Sequence, residues 1–331
     1  MRAYRHTSFT GFDALDLVEE DVPALAVGQV LVRVRASSLN FRDPLIARGE
    51  FPFPASPGFI ALSDGAGEIE AIGAGVRRFA VGDRVVNSFL PTWFGGKPRA
   101  IGQQYVLDLD GWLAEYRVVS EEALVTMPAH LTFEEAATLP CTAVTAWTAL
   151  AGLAAGDTVL TQGSGSVSLF AVQLAQTLGA RVIATTSTDE KAQWLRELGA
   201  DAVINYVETP AWSTEVRGLT DGCGVGRIVE VGGSGTIAES IKSVAQGGEI
   251  ALVGMLDPTT VGMSLIDFFL SQSTLRTIGV GSREDLENMA RALSFHGVHP
   301  IIDRVFPFDE ARQAFEHFAT GRHFGKVVIT H

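Results

Sequence analysis

A doubly wound, parallel α/β sheet joined to a second, mostly β domain is the architecture this sequence predicts. Three observations carry it. Residues Thr158–Lys191 read as strand, glycine turn, helix and second strand. The same alternation then repeats as far as about residue 280. Before residue 123 the pattern differs, with apolar and charged residues alternating between glycines and prolines. Repeated βαβ units predict a parallel sheet covered by helices, and period-two strands predict a half-buried antiparallel sheet.

In the first stretch, Val30–Ala36 (VLVRVRA) alternates strictly. Gly65–Ile72, the segment ending at Val86 and Leu113–Val119 are further strands, with Gly28, Pro52, Pro54, Pro57, Gly58 and Gly82 in the gaps. Residues 88–111 form a long irregular loop. Such loops are usually functional or disordered. Trp93, Phe94 and Tyr105 either line a substrate pocket or pack the loop on itself.

Residues 132–153 turn helical. Thr132 with Glu135 is a capping box, and Pro140 interrupts the apolar face. The glycine turn follows the strand Thr158–Gln162. Gly163 permits the tight turn, and Gly165 lets backbone approach phosphate oxygens. Ser166 and Val167 open a helix whose unpaired N–H groups suit a dinucleotide's pyrophosphate. The pattern is GxGxxS, with Ser168 small enough for close packing. Ser166 follows Gly165, and its Cβ crowds the phosphates or its hydroxyl binds them. The second strand, Arg181–Ser187, ends without the Asp or Glu that holds an NAD ribose. Ser187 and its threonine neighbours, with Lys191 one turn on, suit a 2′-phosphate, so NADP is expected over NAD. Asp189 and Glu190 fit a helix start.

Four more strands are expected at 202–206, 227–231, 249–255 and 275–280, with helices at 189–198, 209–220, 236–246 and 264–272. After a helix at 282–295 come Ile302–Phe308, a helix at 309–320 and a strand, Lys326–Thr330, with no place in the parallel sheet. That strand is expected to return to the first domain. The domains are thus residues 1–127 with 283–331, and residues 128–282.

Net charge is −13, from 25 basic and 38 acidic residues, with no basic cluster, so nucleic acid is not an expected partner. No apolar run approaches the ~20 residues of a membrane span. The start, MRAYRHTSF, lacks a signal-like apolar region, and Cys141 and Cys223 offer no disulfide framework. A cytoplasmic protein with a small-molecule substrate is expected.

Further motifs are Leu39-Asn40-Phe41-Arg42-Asp43, Ser63-Asp64-Gly65-Ala66-Gly67, Val81–Val85, Ala136–Pro140 and Phe324–Val328. With the glycine turn, they make the chain resemble the medium-chain dehydrogenase/reductase superfamily over nearly its whole length. Within it the chain looks like the zinc-free quinone oxidoreductase and enoyl reductase branch, or the alcohol-dehydrogenase-like proteins near it. The resemblance implies a Rossmann domain, a GroES-like domain and hydride transfer from NADPH to an activated C=C or quinone. The family's zinc-ligand positions fall on Asn40, Ser63 and Cys141. Asn and Ser are poor zinc ligands, so no catalytic zinc is expected. With two cysteines there is no four-cysteine structural zinc lobe.

The resemblance also implies roles. Asn40 would face the nicotinamide ribose or substrate, and Thr145 the carboxamide, unless it is merely a helix hydroxyl. Val231-Gly232 and Val253-Gly254 would border the nucleotide, and Gly279-Val280 the nicotinamide. Tyr206 would approach the 2′-phosphate. Lys326 would sit near the pyrophosphate or nicotinamide, or else be a solvated edge lysine. Tyr105 is the candidate proton donor, while Arg42 and Asp43 are expected to pair with each other or the backbone. Two other readings stay open: a carbonyl reductase of the alcohol dehydrogenase type, and a non-catalytic NADPH-binding relative. An apolar sixth strand at the sheet edge needs covering, so a homodimer through it is expected.

Overall fold

The computed structural model describes residues 1–53, 55–98, 102–254 and 263–331. Its contacts divide them into two units, residues 1–144 with 280–331 and residues 145–279.

In the first unit, β1 (Arg2–His6) and β2 (Leu15–Glu19) form an antiparallel ribbon. β3 (Gln29–Ser38) follows, then α1 (Arg42–Ala47), β4 (Asp64–Ile72), β5 (Arg84–Asn87), β6 (Tyr116–Ser120) and β7 (Leu124–Thr126). The alternation read in β3 is visible in its burial: Val30, Val32 and Val34 lie in the core while Arg33 is exposed. β3 pairs antiparallel with β4, β6 and, at its far end, a strand from the end of the chain. α2 (Phe133–Ala136) begins at the expected capping box of Thr132 and Glu135. Pro140 falls in a wide helical turn over Leu139–Ala143. This unit reaches Val144 instead of ending at residue 127. The reason is local: the Ser38 hydroxyl donates to the Ala137 carbonyl, and the Cys141 N–H donates to Asp64.

The second unit opens in α3 (Val144–Ala149). Then β8 (Thr158–Gln162), α4 (Ser166–Thr177), β9 (Arg181–Thr186), α5 (Asp189–Glu197), β10 (Ala202–Asn205), α6 (Trp212–Leu219) and β11 (Val225–Glu230) alternate. α7 (Ile237–Ser243), β12 (Val244–Leu252), α8 (Leu265–Ser271) and β13 (Thr274–Thr277) complete the unit. The strands form one six-stranded sheet in the order β10-β9-β8-β11-β12-β13, and every pairing is parallel. That is the doubly wound order, with its reversal between β8 and β11. Leu160, Ile183, Ile228 and Ile250 fill the core. α7 ends earlier than expected because the chain turns extended at Val244, before Gly247 and Gly248. Met255, expected to end the fifth strand, lies outside the described residues.

The chain then returns to the first unit. α9 (Arg283–His296) is capped by Ser282, and β14 (Ile302–Pro307), α10 (Ala311–Ala319) and β15 (Lys326–Thr330) follow. β15 runs parallel to β14 and antiparallel to β3. Phe315 of α10 is fully buried against this part of the sheet. Trp93 and Phe94 offer their carbonyls to the N–H groups of Arg283 and Glu284. The described part of the long loop therefore packs on the start of α9. Among the described residues no helix is long and apolar enough to cross a membrane.

Candidate active site

The register of the first unit's sheet assembles one polar group. Ser38 at the end of β3 stands opposite Asp64 in β4 and Val328 in β15. Two residues further, Asn40 is thereby flanked by Asp64 and Lys326. Lys326 is fully buried, and its Nζ donates to Asn40 Oδ1 at 2.7 Å and to the Leu39 carbonyl at 2.6 Å. It lies 4.0 Å from Asp64 Oδ2, which also accepts the Cys141 N–H at 3.1 Å. Asn40 Nδ2 is 3.4 Å from Ser63 Oγ. The Ser63 carbonyl accepts from Asn87, whose Oδ1 in turn accepts the Gly65 N–H. Asn40, Ser63 and Cys141, matched only by motif, thus lie in one cluster, with Asn40 and Ser63 buried and Cys141 partly so.

Asp43 accepts the Asn40 backbone N–H at 2.7 Å, closing the turn into α1. Its other oxygen, and Asp64 Oδ1, are buried without a partner. Arg42 turns away, donating to the Tyr105 carbonyl and Gln104 Oε1 and lying over the Phe89 ring. Arg42 and Asp43 therefore bond to backbone and neighbours and form no ion pair with each other. Burial raises the pKa of Asp43 to about 6 and also raises that of Asp64, where Lys326 opposes it. Burial lowers Lys326, against the pull of Asp64. The Cys141 thiol is pushed well above its ordinary value, again by burial.

Two expectations change here. Lys326 is not a solvated edge lysine; it is a buried donor in the first unit. Tyr105 is only 2% exposed and packs edge-on to Trp112, with its hydroxyl pKa pushed up to about 12 by burial. It is a core residue, unsuited to giving up a proton.

The nucleotide end is built at the carboxyl ends of β8, β9 and β11. Gly163 takes a positive φ of 71°, and nothing lies within 4 Å of where a Cβ on Gly165 would stand. Room for an anion remains before the first N–H groups of α4, where Ser166 and Val167 sit. Ser168 donates to the Gln162 carbonyl at 2.6 Å, so the third position of the glycine pattern ties helix to strand. At the end of β9 the Thr186 hydroxyl is buried with no partner. Ser187 follows it, and the Tyr206 N–H donates to the Thr186 carbonyl. Thr188 caps α5, accepting the Lys191 N–H, and Asp189 faces Asn205. An open glycine turn and an orphan hydroxyl fit a dinucleotide.

Glu230 and Gln162 escaped the sequence reading. Glu230 is fully buried and accepts from Gln162, Thr236, Ser240 and the N–H groups of Gly232 and Gly233. Gln162 Oε1 accepts the N–H groups of Val231 and Gly232. Val231 and Gly232 thus have their donors engaged internally and offer a nucleotide only carbonyls and surface. Gly254 packs so closely that a Cβ there would stand 2.7 Å from the Val231 carbonyl, which fixes Val253 and Gly254 beside that turn. Thr145 is buried at the start of the second unit, Gly279 is exposed and Val280 is buried.

Residues 26–129 match the alcohol dehydrogenase GroES-like domain, and residues 166–294 match the zinc-binding dehydrogenase model. A zinc-type alcohol dehydrogenase-like protein of Schizosaccharomyces pombe is 39% identical over 341 residues, 99% of each chain. The chain belongs to the medium-chain dehydrogenase/reductase superfamily. An acryloyl-coenzyme A reductase of Metallosphaera sedula is 29% identical, over 93% of this chain and 94% of the reductase. The crystal structure of an NAD-dependent alcohol dehydrogenase, 32% identical, matches with a TM-score of 0.91 over 100% of both chains. As a member of this superfamily the chain is an NAD(P)H-dependent oxidoreductase.

The buried Asp43 gives a pH prediction for this superfamily member. Its folded-state pKa is raised from 3.8 to about 6, so the folded chain holds the proton more tightly than the unfolded one. The stability it contributes is present below pH ~4 and lost as pH rises to ~6, by ~3 kcal/mol at most. Urea unfolding of wild type and Asp43→Asn across that range should show the variant gaining on wild type as pH rises. A constant difference would mean that Asp43 is not a desolvated carboxyl.

Proposed function

We propose that the protein is an NADPH-dependent reductase of activated carbon–carbon double bonds or quinones, working without zinc. The observation that carries this reading is the Lys326 ammonium, hydrogen-bonded to Asn40 and 4.0 Å from Asp64. A fixed cation among the residues at the zinc-ligand positions disfavours a second, divalent one. NADPH, when bound, supplies the hydride. Asn40 donates from Nδ2 to the carbonyl oxygen of the acceptor, which gains negative charge as the β-carbon is reduced. One aimed donor of this kind is worth ~3 kcal/mol of barrier. Solvent protonates the α-carbon. The likeness to an acryloyl-coenzyme A reductase supports an activated C=C as acceptor.

Gly163, Gly165, Ser166 and Val167 hold the pyrophosphate, and Ser187, Lys191 and Tyr206 the 2′-phosphate. The likeness to a zinc-type alcohol dehydrogenase-like protein favours one alternative, a carbonyl reductase, with NAD(H) as its carrier in place of NADP(H). The chain works as a homodimer in the cytoplasm, where two cysteines outside any disulfide are at home. β13 ends its sheet, and Leu265, Ile266, Phe269 and Leu270 of α8 are between 62% and 74% exposed. A second copy would cover both.

Three measurements test these statements. With enones, quinones and aldehydes offered alongside NADPH or NADH, loss of reduced cofactor is expected with enones or quinones and NADPH, by metal-free protein. Aldehyde reduction that tracks about one zinc per chain would favour the carbonyl reductase, and tight NADPH binding without any turnover the non-catalytic relative. Lys191→Ala should weaken NADPH about tenfold, on the order of one charge-assisted hydrogen bond, and leave NADH unchanged. Sedimentation should give a dimer that Leu275→Lys dissociates; a monomeric wild type refutes it.

A further inference from the structure

Lys326 is unusual in what it touches. Its ammonium is fully buried, and its two hydrogen bonds go to the Asn40 carboxamide oxygen and a backbone carbonyl. Both are acceptors of the first unit, and the nearest carboxylate, Asp64, stands 4.0 Å away. An ammonium has only donors, so the Asn40 carboxamide must present Oδ1 to it. This settles the amide's orientation: Nδ2 points away from the lysine, toward Ser63 at 3.4 Å. The backbone of Asn40 is held as well, by Asp43 and by its return bond to the Asp43 N–H.

We infer that Lys326 is the positioning residue of the reaction, a built-in cation that fixes Asn40 with Nδ2 turned away from the lysine and strengthens that nitrogen's N–H groups as donors to a developing oxyanion. The physical basis is polarisation. A positive charge at the amide oxygen draws electron density from the nitrogen, and hydrogen bonds in series strengthen one another at low dielectric. Lys326 acts through Asn40 and touches neither substrate nor cofactor. The bond from the Cys141 N–H keeps Asp64 in place beside the lysine. The inference rests on the proposed role of Asn40 and adds the means by which that residue is set.

The test is a double-mutant cycle on the full chain, with Lys326→Met, Lys326→Gln, Asn40→Ala and the Asn40→Ala/Lys326→Met pair. The substrate is whichever enone or quinone the wild type reduces. Asn40→Ala should lower kcat about 100-fold, the usual loss of an oxyanion donor. Lys326→Met should lower kcat at least about tenfold with KM and NADPH affinity little changed, and should cost nothing further once Asn40 is Ala. Lys326→Gln, which keeps a donor but no charge, should recover part of the loss. Additive effects, or a loss that appears in NADPH affinity alone, would overturn the inference.

A second readout needs no turnover and stands even if no substrate is found or Lys326→Met does not fold. In wild-type protein the Lys326 ammonium should give an observable side-chain 15N–1H signal at neutral pH, shifted in Asn40→Ala. A missing signal, or one indifferent to that substitution, counts against the inference. Failure of the substrate panel alone counts only against the proposed reaction.

Discussion

One buried ammonium holds together three segments that are far apart in the chain. Lys326 joins the end of β3, the start of β4 and the first residue of β15, and each contributes a polar atom that would otherwise be stranded in the core. A buried charge is tolerated only when paired and hydrogen-bonded. The requirement is mutual: Asp64 and Asn40 need the lysine as much as it needs them. The antiparallel registers of β3 with β4 and β15 are therefore functional as well as structural, because a slip of one residue would turn Lys326 to the opposite face.

The nucleotide end solves a related problem with the opposite sign. Among the described residues Glu230 is a buried carboxylate with no cation against it; hydroxyls, an amide and backbone N–H groups bond it instead. Those bonds set the turn after β11, while Ser168 fastens α4 to β8. Each unit thus carries a network of buried polar groups at its candidate site.

The sheet was legible because its signals are local. A strand, a glycine turn and an amphipathic helix each declare themselves within a few residues, and the capping box at Thr132 is visible as a letter pair. The motif alignment also brought Asn40, Ser63 and Cys141 to one place. What local patterning does not carry is partnership. Phe324–Val328 reads as an edge strand, and nothing within it announces that its lysine lies beneath Asn40. Tyr105 looked reactive because it sat in a long loop, yet its ring fills the core beside Trp112. Glu230 and Gln162 left a faint trace, each a polar residue closing an apolar strand just before glycines. Loop 88–111 left pocket lining and self-packing both open; the Trp93 and Phe94 carbonyls accept the N–H groups at the start of α9.

The placement of β15 bears on how the molecule is made. The first unit's sheet takes its closing strand from residues 326–330, after the whole of the second unit has been translated. Until then β3 has a bare edge at the very residues that flank Asn40, and Asp64 sits without its countercharge. The β unit therefore cannot complete its sheet until residues 326–330 are made, and the long loop that this pairing closes slows its last step. A ribosome stalled a few codons early would release a chain with an exposed, self-adhesive strand edge and no working centre.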